Sequence, residues 1–220
     1  MLQGKRIDLI DVSKINNGIA NPEMPQRSTN GFAPPGKRGG GARGGLHATV
    51  HSGDKKGCME LFQEQMKDLA ALLRRDMMRL RQQIEAFPDD GSVWQTGPGV
   101  SNSAGNLALH LEGNLREYIG RRLGGIAYER NRPGEFGQKG LSRAALAARI
   151  ESLDAVAAVI EKLTEAEWAA ASPPDAVPGC RSVGQQVMSL YGHFHYHLGQ
   201  IDYLRRLLTK GSAVKAAQLA

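Results

Sequence analysis

The chain has 220 residues, 41% of them hydrophobic, enough for one domain with a sizeable core and a tail. No eighteen consecutive residues are apolar, and the opening MLQGKRIDLIDV lacks a long apolar h-region, so neither a transmembrane helix nor a secretory signal is expected. The net charge of +6 would fit a nucleic-acid binder. However, residues 1–57 hold nine Lys/Arg against four Asp/Glu, which leaves the other 163 residues near balance and argues against nucleic acid as a partner.

Residues 1–57 also hold 11 of the 27 glycines, and the run PPGKRGGGARGG cannot offset its ordering entropy by burial. This segment reads as a disordered basic leader. GGGARGG lacks the preceding strand and the Lys-Ser/Thr ending of a phosphate loop. From Met59 the texture changes, which raises the expectation that translation begins there. Leu61, Met66, Leu69, Leu73, Met77, Leu80, Ile84 and Phe87 recur at helical spacing, predicting a helix over 59–87 that PDDG ends. Trp94 in the following loop is expected to anchor in the core. A second helix is predicted from caps at Ser101–Ser103 to about Leu123. Leu107, His110 or Leu111, Asn114 or Leu115, Tyr118 and Ile119 form its inner stripe. The connection 124–141 is long enough for a crossover. Ser142 caps a third helix over 143–163, and Thr164 with Glu167 forms a capping box for a short turn ending at Trp168. Ser182 with Gln185 is a second capping box, opening a last helix that runs uninterrupted by proline to about residue 210. Gly192 and Gly199 inside it predict close approach of a neighbouring helix or ligand.

The fold expectation is all-α: a four-helix bundle over 58–212, with a disordered N-terminal extension (1–57) and a C-terminal tail (213–220). Cys58 and Cys180 form no CxxC pair, which fits a reducing cytoplasm.

Three of the six histidines lie in YGHFHYHLGQIDYL. A strand would put all three on one face; a helix stacks His193 on His197 and turns His195 nearly opposite. The flanking helical period over 182–210 selects the helix. An i, i+4 imidazole pair can hold one metal ion, and a third ligand must come from another helix. His110 is the one other body histidine. Taken alone it reads as a satisfied core or boundary histidine, with Asn106 and Asn114 one turn away on each side. Taken together, three buried imidazoles are costly without a partner, and one divalent ion accounts for all of them. Asn106, Asn114 and Gln200 are candidates to orient histidines or substrate, and Glu112 and Tyr191 weaker ones for proton transfer. No acid lies between His193 and His197, so the HExxH base is missing; no GxSxG motif occurs. His195 reads as a solvent-side histidine and Cys180 as a plain buried cysteine or a thiol near the site.

HFHYHLGQIDYL resembles the HxxxHxGQI ending of the DinB-like (YfiT-type) superfamily of bacterial four-helix proteins, matching at His193, His197, Gly199, Gln200 and Ile201. NLALHLEGNL places His110 where that family has its second-helix histidine, and WQTGPGVSNSAGNLALHLEGNLREYIG with YERNRPGEF is similar to one branch of it. The resemblance spans about Met59 to Lys210. It implies a Ni, Zn, Fe or Mn ion held by His110, His193 and His197, often in a homodimer. It also implies a small-molecule substrate for hydrolysis or thiol-S-transfer. Phe194–Tyr196 stands where relatives carry an acid between the two histidines. Three neutral imidazoles leave the ion its full charge and an open position, which lowers the pKa of bound water or thiol toward neutrality. The sequence expectation is therefore a metal-dependent hydrolase or thiol-S-transferase with catalytic residues unassigned. A stress-associated metal or small-molecule binder without turnover is the alternative.

Overall fold

The computed structural model describes residues 52–173 and 175–214. The disordered-leader expectation lies outside these residues except for 52–57, which are helical and open α1 (Ser52–Glu85); the helix thus starts seven residues before Met59. The tail expectation lies outside them beyond 214. After α1 come a short 3₁₀ turn (Ser92–Trp94), α2 (Ala104–Leu115), α3 (Arg132–Gly137), α4 (Arg143–Glu151), α5 (Asp154–Glu161), α6 (Glu165–Ala169) and α7 (Val183–Thr209). The described residues are all-helical. An isolated bridge between Ala171 and Ser182 is the only extended pairing among them. No described helix is long and apolar enough to cross a membrane.

The apolar rows form as their spacing predicts. Met66, Ala70, Leu73, Met77, Leu80, Ile84 and Phe87 are buried from α1 onward, and Val183, Val187, Leu190, Phe194, Ile201 and Leu204 from α7. Leu61, counted in the first row, is instead 61% exposed. The helix starts carry the predicted caps: the hydroxyls of Ser103, Ser142 and Ser182 accept from the backbone amides of Asn106, Ala145 and Gln185. The Thr164–Glu167 box closes in both directions. The Ser182–Gln185 box forms only half, because the Gln185 side chain accepts from Arg181 N rather than from Ser182.

The helices depart from expectation at three places. The predicted third helix divides at Ser152–Leu153: Ser152 Oγ donates back to Arg149 O at 2.6 Å, and Leu153 N reaches Ile150 O in a tighter turn. Both halves still bury Leu146, Ile150, Leu153, Val156, Ala157 and Ile160. The end of the second helix widens into a π-helical stretch, Arg116–Arg121. The connection 124–141 is not all loop, since it contains α3.

Side-chain pairs fix the helix directions. Arg149 bonds Glu112 and Arg116 bonds Ser152, so α2 and α4 run parallel. Gln63 meets Leu163, Arg74 meets Glu161 and Arg81 meets Glu151, which makes α1 antiparallel to α4 and α5. Asn114 meets His193 and Tyr118 O meets Gln186, so α2 and α7 are antiparallel. Parallel neighbours need the chain to return between them; the 124–141 connection does this and lays α3 against α2. Every residue of α2 is buried, and this fixes His110 inside the molecule. Trp94 is anchored as expected, its Nε1 donating to Leu141 O at 3.0 Å.

Candidate metal centre

Helix α2 presents His110 inward and α7 presents His193 and His197 toward it. Each of the three offers one ring nitrogen, and these atoms lie within 4.8 Å of one another. The rings meet nearly edge to face, with centroids 4.4 Å apart for His193–His197 and 5.3 Å for His110 to each of them. The sequence-predicted trio therefore converges. His195 does not join it: Nε2 lies 2.9 Å from the buried Asp76 carboxylate and Nδ1 3.0 Å from Tyr191 O, so the ring faces α1.

Hydrogen bonding sets which nitrogen His110 and His197 present. His110 Nδ1 sits 2.8 Å from Glu135 Oε2, and His197 Nδ1 2.6 Å from Gln200 Oε1. Both acceptors hold the Nδ1 proton, leaving Nε2 as a lone pair. His110 Nε2 and His193 Nε2 are 3.1 Å apart. Two nitrogens each about 2.0–2.1 Å from one cation lie roughly 2.9 Å apart at a right angle and roughly 3.4 Å apart at a tetrahedral angle. The observed spacing falls between those values, so the pair fits neighbouring ligands of a single ion, and an all-imidazole set suits borderline divalent metals.

Electrostatics favour the neutral, ligating form of the two α7 rings. Burial pushes His193 down to about 4, helped by His197, His110, Arg130 and Arg132. Burial also lowers His197 and outweighs its bond to Gln200. Burial alone would raise Glu135, yet the bonds from His110 and from Arg130 (2.7 and 2.9 Å) hold its carboxyl below the usual range. An ionised carboxylate behind His110 raises that ring's basicity as a ligand.

Glu135 and Arg130 lie outside the residues singled out from the sequence, and they come from α3 and the segment before it. Asn131 caps α3 by accepting from Gly134 N, and Pro133 sits in its first turn. Gly113 on α2 makes the approach of Glu135 possible. A Cβ there would come within 2.7 Å of Glu135 Cδ and closer still to Oε1. By contrast, nothing among the described residues lies within 4 Å of a Cβ placed at Gly192 or Gly199. Among the described residues no neighbouring helix meets those two glycines; close approach occurs at Gly113, at Gly105 against Trp94, and at Gly184 against Trp168.

The other candidates separate. Asn114 Nδ2 lies 3.0 Å from His110 Nε2 and 3.1 Å from His193 Nε2. Gln200 Oε1 accepts from His197 Nδ1. Among the described residues the Asn106 side chain bonds no histidine; its amide donates to Glu135 O and Gln138 O and so holds the α3 segment in place. Glu112 is tied to Arg116 and Arg149, and Tyr191 donates to Asp76 at 2.8 Å. Burial and Asp76 push the Tyr191 hydroxyl up to about 12, so neither residue is positioned for proton transfer at the histidines. Cys180 is half-buried, its Sγ 3.4 Å from Ser189 Oγ. On the outer side Phe136 packs on His110 at 4.9 Å, with the Arg132 guanidinium over the Phe136 ring at 5.7 Å. Compared with known families and with curated proteins, the chain matches no family model and no curated protein.

Proposed function

We propose that this chain is a divalent-metal protein of the DinB-like four-helix-bundle type, with His110, His193 and His197 as ligands, acting as a metal-dependent hydrolase or thiol-S-transferase on a small molecule. One observation carries the reading: one ring nitrogen from each of His110 on α2 and His193 and His197 on the antiparallel α7 lies within 4.8 Å of the other two. Four helical segments, namely α1, α2 with its π-helical end, α4 with α5, and α7, correspond to the bundle's four members. Their directions agree with a crossover bundle. A borderline divalent ion there would supply Lewis acidity toward water or a thiol near neutral pH.

The chain's own residues have separable tasks. Glu135 and Gln200 hold the Nδ1 protons of His110 and His197, which directs both Nε2 lone pairs inward. Arg130 keeps Glu135 charged and in place. Phe136 shields one side of His110 from water. Arg132, with no carboxylate partner among the described residues, places positive charge near His193 and favours a substrate carrying an anionic group.

The second reading is a binder without turnover. It is favoured by the acids: Glu112 and Glu135 are each paired with arginine, and Phe194, wholly buried, stands between the two α7 histidines. Metal content of the purified full-length protein, measured by mass spectrometry, tests the shared premise. One ion per chain is expected in the wild type and none in His193→Ala; a metal-free wild type, or stoichiometric metal in the variant, refutes the site. Turnover of thiol conjugates or simple esters by metal-loaded protein, abolished by chelator, then separates enzyme from binder.

A further inference from the structure

The geometry points to Asn114 as a fourth ligand, through its side-chain oxygen, completing a three-histidine, one-amide site for a divalent cation. This rests on the metal reading above and deepens it.

His110 and Asn114 are four apart on α2, as His193 and His197 are on α7. Residues at that spacing share a helix face. The centre is thus built from two i, i+4 pairs on facing antiparallel helices, of which only the histidine pair is conspicuous in the sequence. The Asn114 amide nitrogen is almost equidistant from the two Nε2 atoms, at 3.0 and 3.1 Å, and these are 3.1 Å from each other. Three atoms in a near-equilateral triangle of that size have the spacing of three neighbouring ligands on one ion.

Without a cation, the amide hydrogens serve the imidazole lone pairs, which explains why nitrogen faces them. With a cation between the rings, those lone pairs are committed to it, and the same hydrogens would face positive charge. A half-turn about the last side-chain bond exchanges amide oxygen for nitrogen with little change in shape. No hydrogen bond among the described residues holds Asn114 Oδ1 where it is, so none resists that turn. Asn114 is itself buried, only 6% exposed, and water does not compete freely for the position. An amide oxygen adds no charge, so the cation keeps its full charge while losing one open position. Fewer positions then remain for substrate than in a site of three histidines and solvent alone.

Cobalt titration of the full-length protein, followed by visible absorption, tests this with three proteins. The wild type should bind one Co²⁺. Asn114→Ala should bind it about 10–100-fold more weakly, with a shifted band pattern. Asn114→Asp, nearly the same shape with an anionic oxygen, should bind it more tightly and also with a changed spectrum. Thermal unfolding of each protein in chelator checks that the variants fold. If folded Asn114→Ala matches the wild type in both affinity and spectrum, Asn114 is no ligand. If the aspartate variant binds more weakly than the wild type, the amide acts as a donor and the proposal is likewise overturned. A wild type that takes up no cobalt refutes the histidine site beneath it, an outcome distinct from both.

Discussion

A methyl group at Gly113 should uncouple the carboxylate from the histidine site, and the sign of its effect on stability is the informative part. In an exposed helix interior, Gly→Ala gains about 1 kcal/mol. At Gly113 the new Cβ would come within 2.7 Å of Glu135 Cδ and nearer to Oε1, a separation that atoms do not tolerate. Gly113 belongs to the fully buried α2, so the carboxylate must yield. It is held by His110 at 2.8 Å and by Arg130 at 2.7 and 2.9 Å. Each hydrogen bond to a charged group contributes about 1.5–3 kcal/mol, so losing one or two of them exceeds the helical gain, for a net destabilisation of about 0.5–5 kcal/mol. Gly192 and Gly199, open on their helix face, should instead be stabilised by alanine, each by about 0.5–1 kcal/mol. Urea unfolding in chelator measures all three, and a zinc competition titration should show Gly113→Ala about 10–100-fold weaker. A Gly113→Ala protein at least as stable as the wild type, with unchanged zinc affinity, would refute the claim that Glu135 is wedged against α2 and acts on His110.

Glu135→Gln keeps the shape but not the charge, so zinc affinity should fall by about 10-fold or more; an unchanged affinity would show that the carboxylate does not act through His110. Metal-free protein should lose stability as pH falls from the ordinary histidine value of 6.5 toward about 4. His193 is depressed when folded, so its neutral form contributes fully above 6.5 and the unfolded chain takes up the proton first below it. Chemical unfolding in chelator across that range checks this, and His193→Gln should flatten the profile. Below pH 4.5 a second loss should follow as Glu117, held down to about 2 chiefly by its bond to Arg121, becomes protonated. Asp76→Ala should destabilise by about 3–5 kcal/mol, because the wholly buried carboxylate is the shared acceptor for Arg75, Arg79, Tyr191 and His195. Zinc stoichiometry in that variant should stay at the wild-type value.

Much of this architecture is legible in the sequence because it depends on repeating patterns. Helical spacing over 66–87 and 183–204 predicts which residues are buried, and the same period separates His195 from His193 and His197. The converging triad is readable for that reason: three positions on two long helices follow from two periods. What escapes is supported by short segments. Helix α3 has six residues, too few for any periodicity, although Asn131 and Pro133 mark its start. Glu135 and Arg130 are therefore hidden in what reads as a loop. Gly192 and Gly199 suggest a neighbouring helix that no described residue supplies, for the opposite reason. A glycine in a helix permits close approach but does not require it, and the glycine that a neighbour does require, Gly113, sits unremarked among leucines. The interruption at Ser152 likewise turns on a single side-chain bond competing with the helix, which no apolar pattern records.

The site divides along the same line. Its donor atoms come from α2 and α7, whose positions are fixed by a continuous buried core that includes Leu107, Leu111, Leu190, Phe194 and Ile201. Its charge balance comes from α3, a short helix held by the Asn106 amide on two backbone carbonyls and by the Glu135 carboxylate. In the proposed site, ligand geometry would therefore be set by the buried α2–α7 core and ligand basicity by the short α3 segment. Substitutions in α3 or at Gly113 should alter how tightly a cation is held well before they alter where it sits. Substitutions along the α2–α7 interface should do the reverse, since moving either helix separates Nε2 atoms that the fold now brings to 3.1 Å.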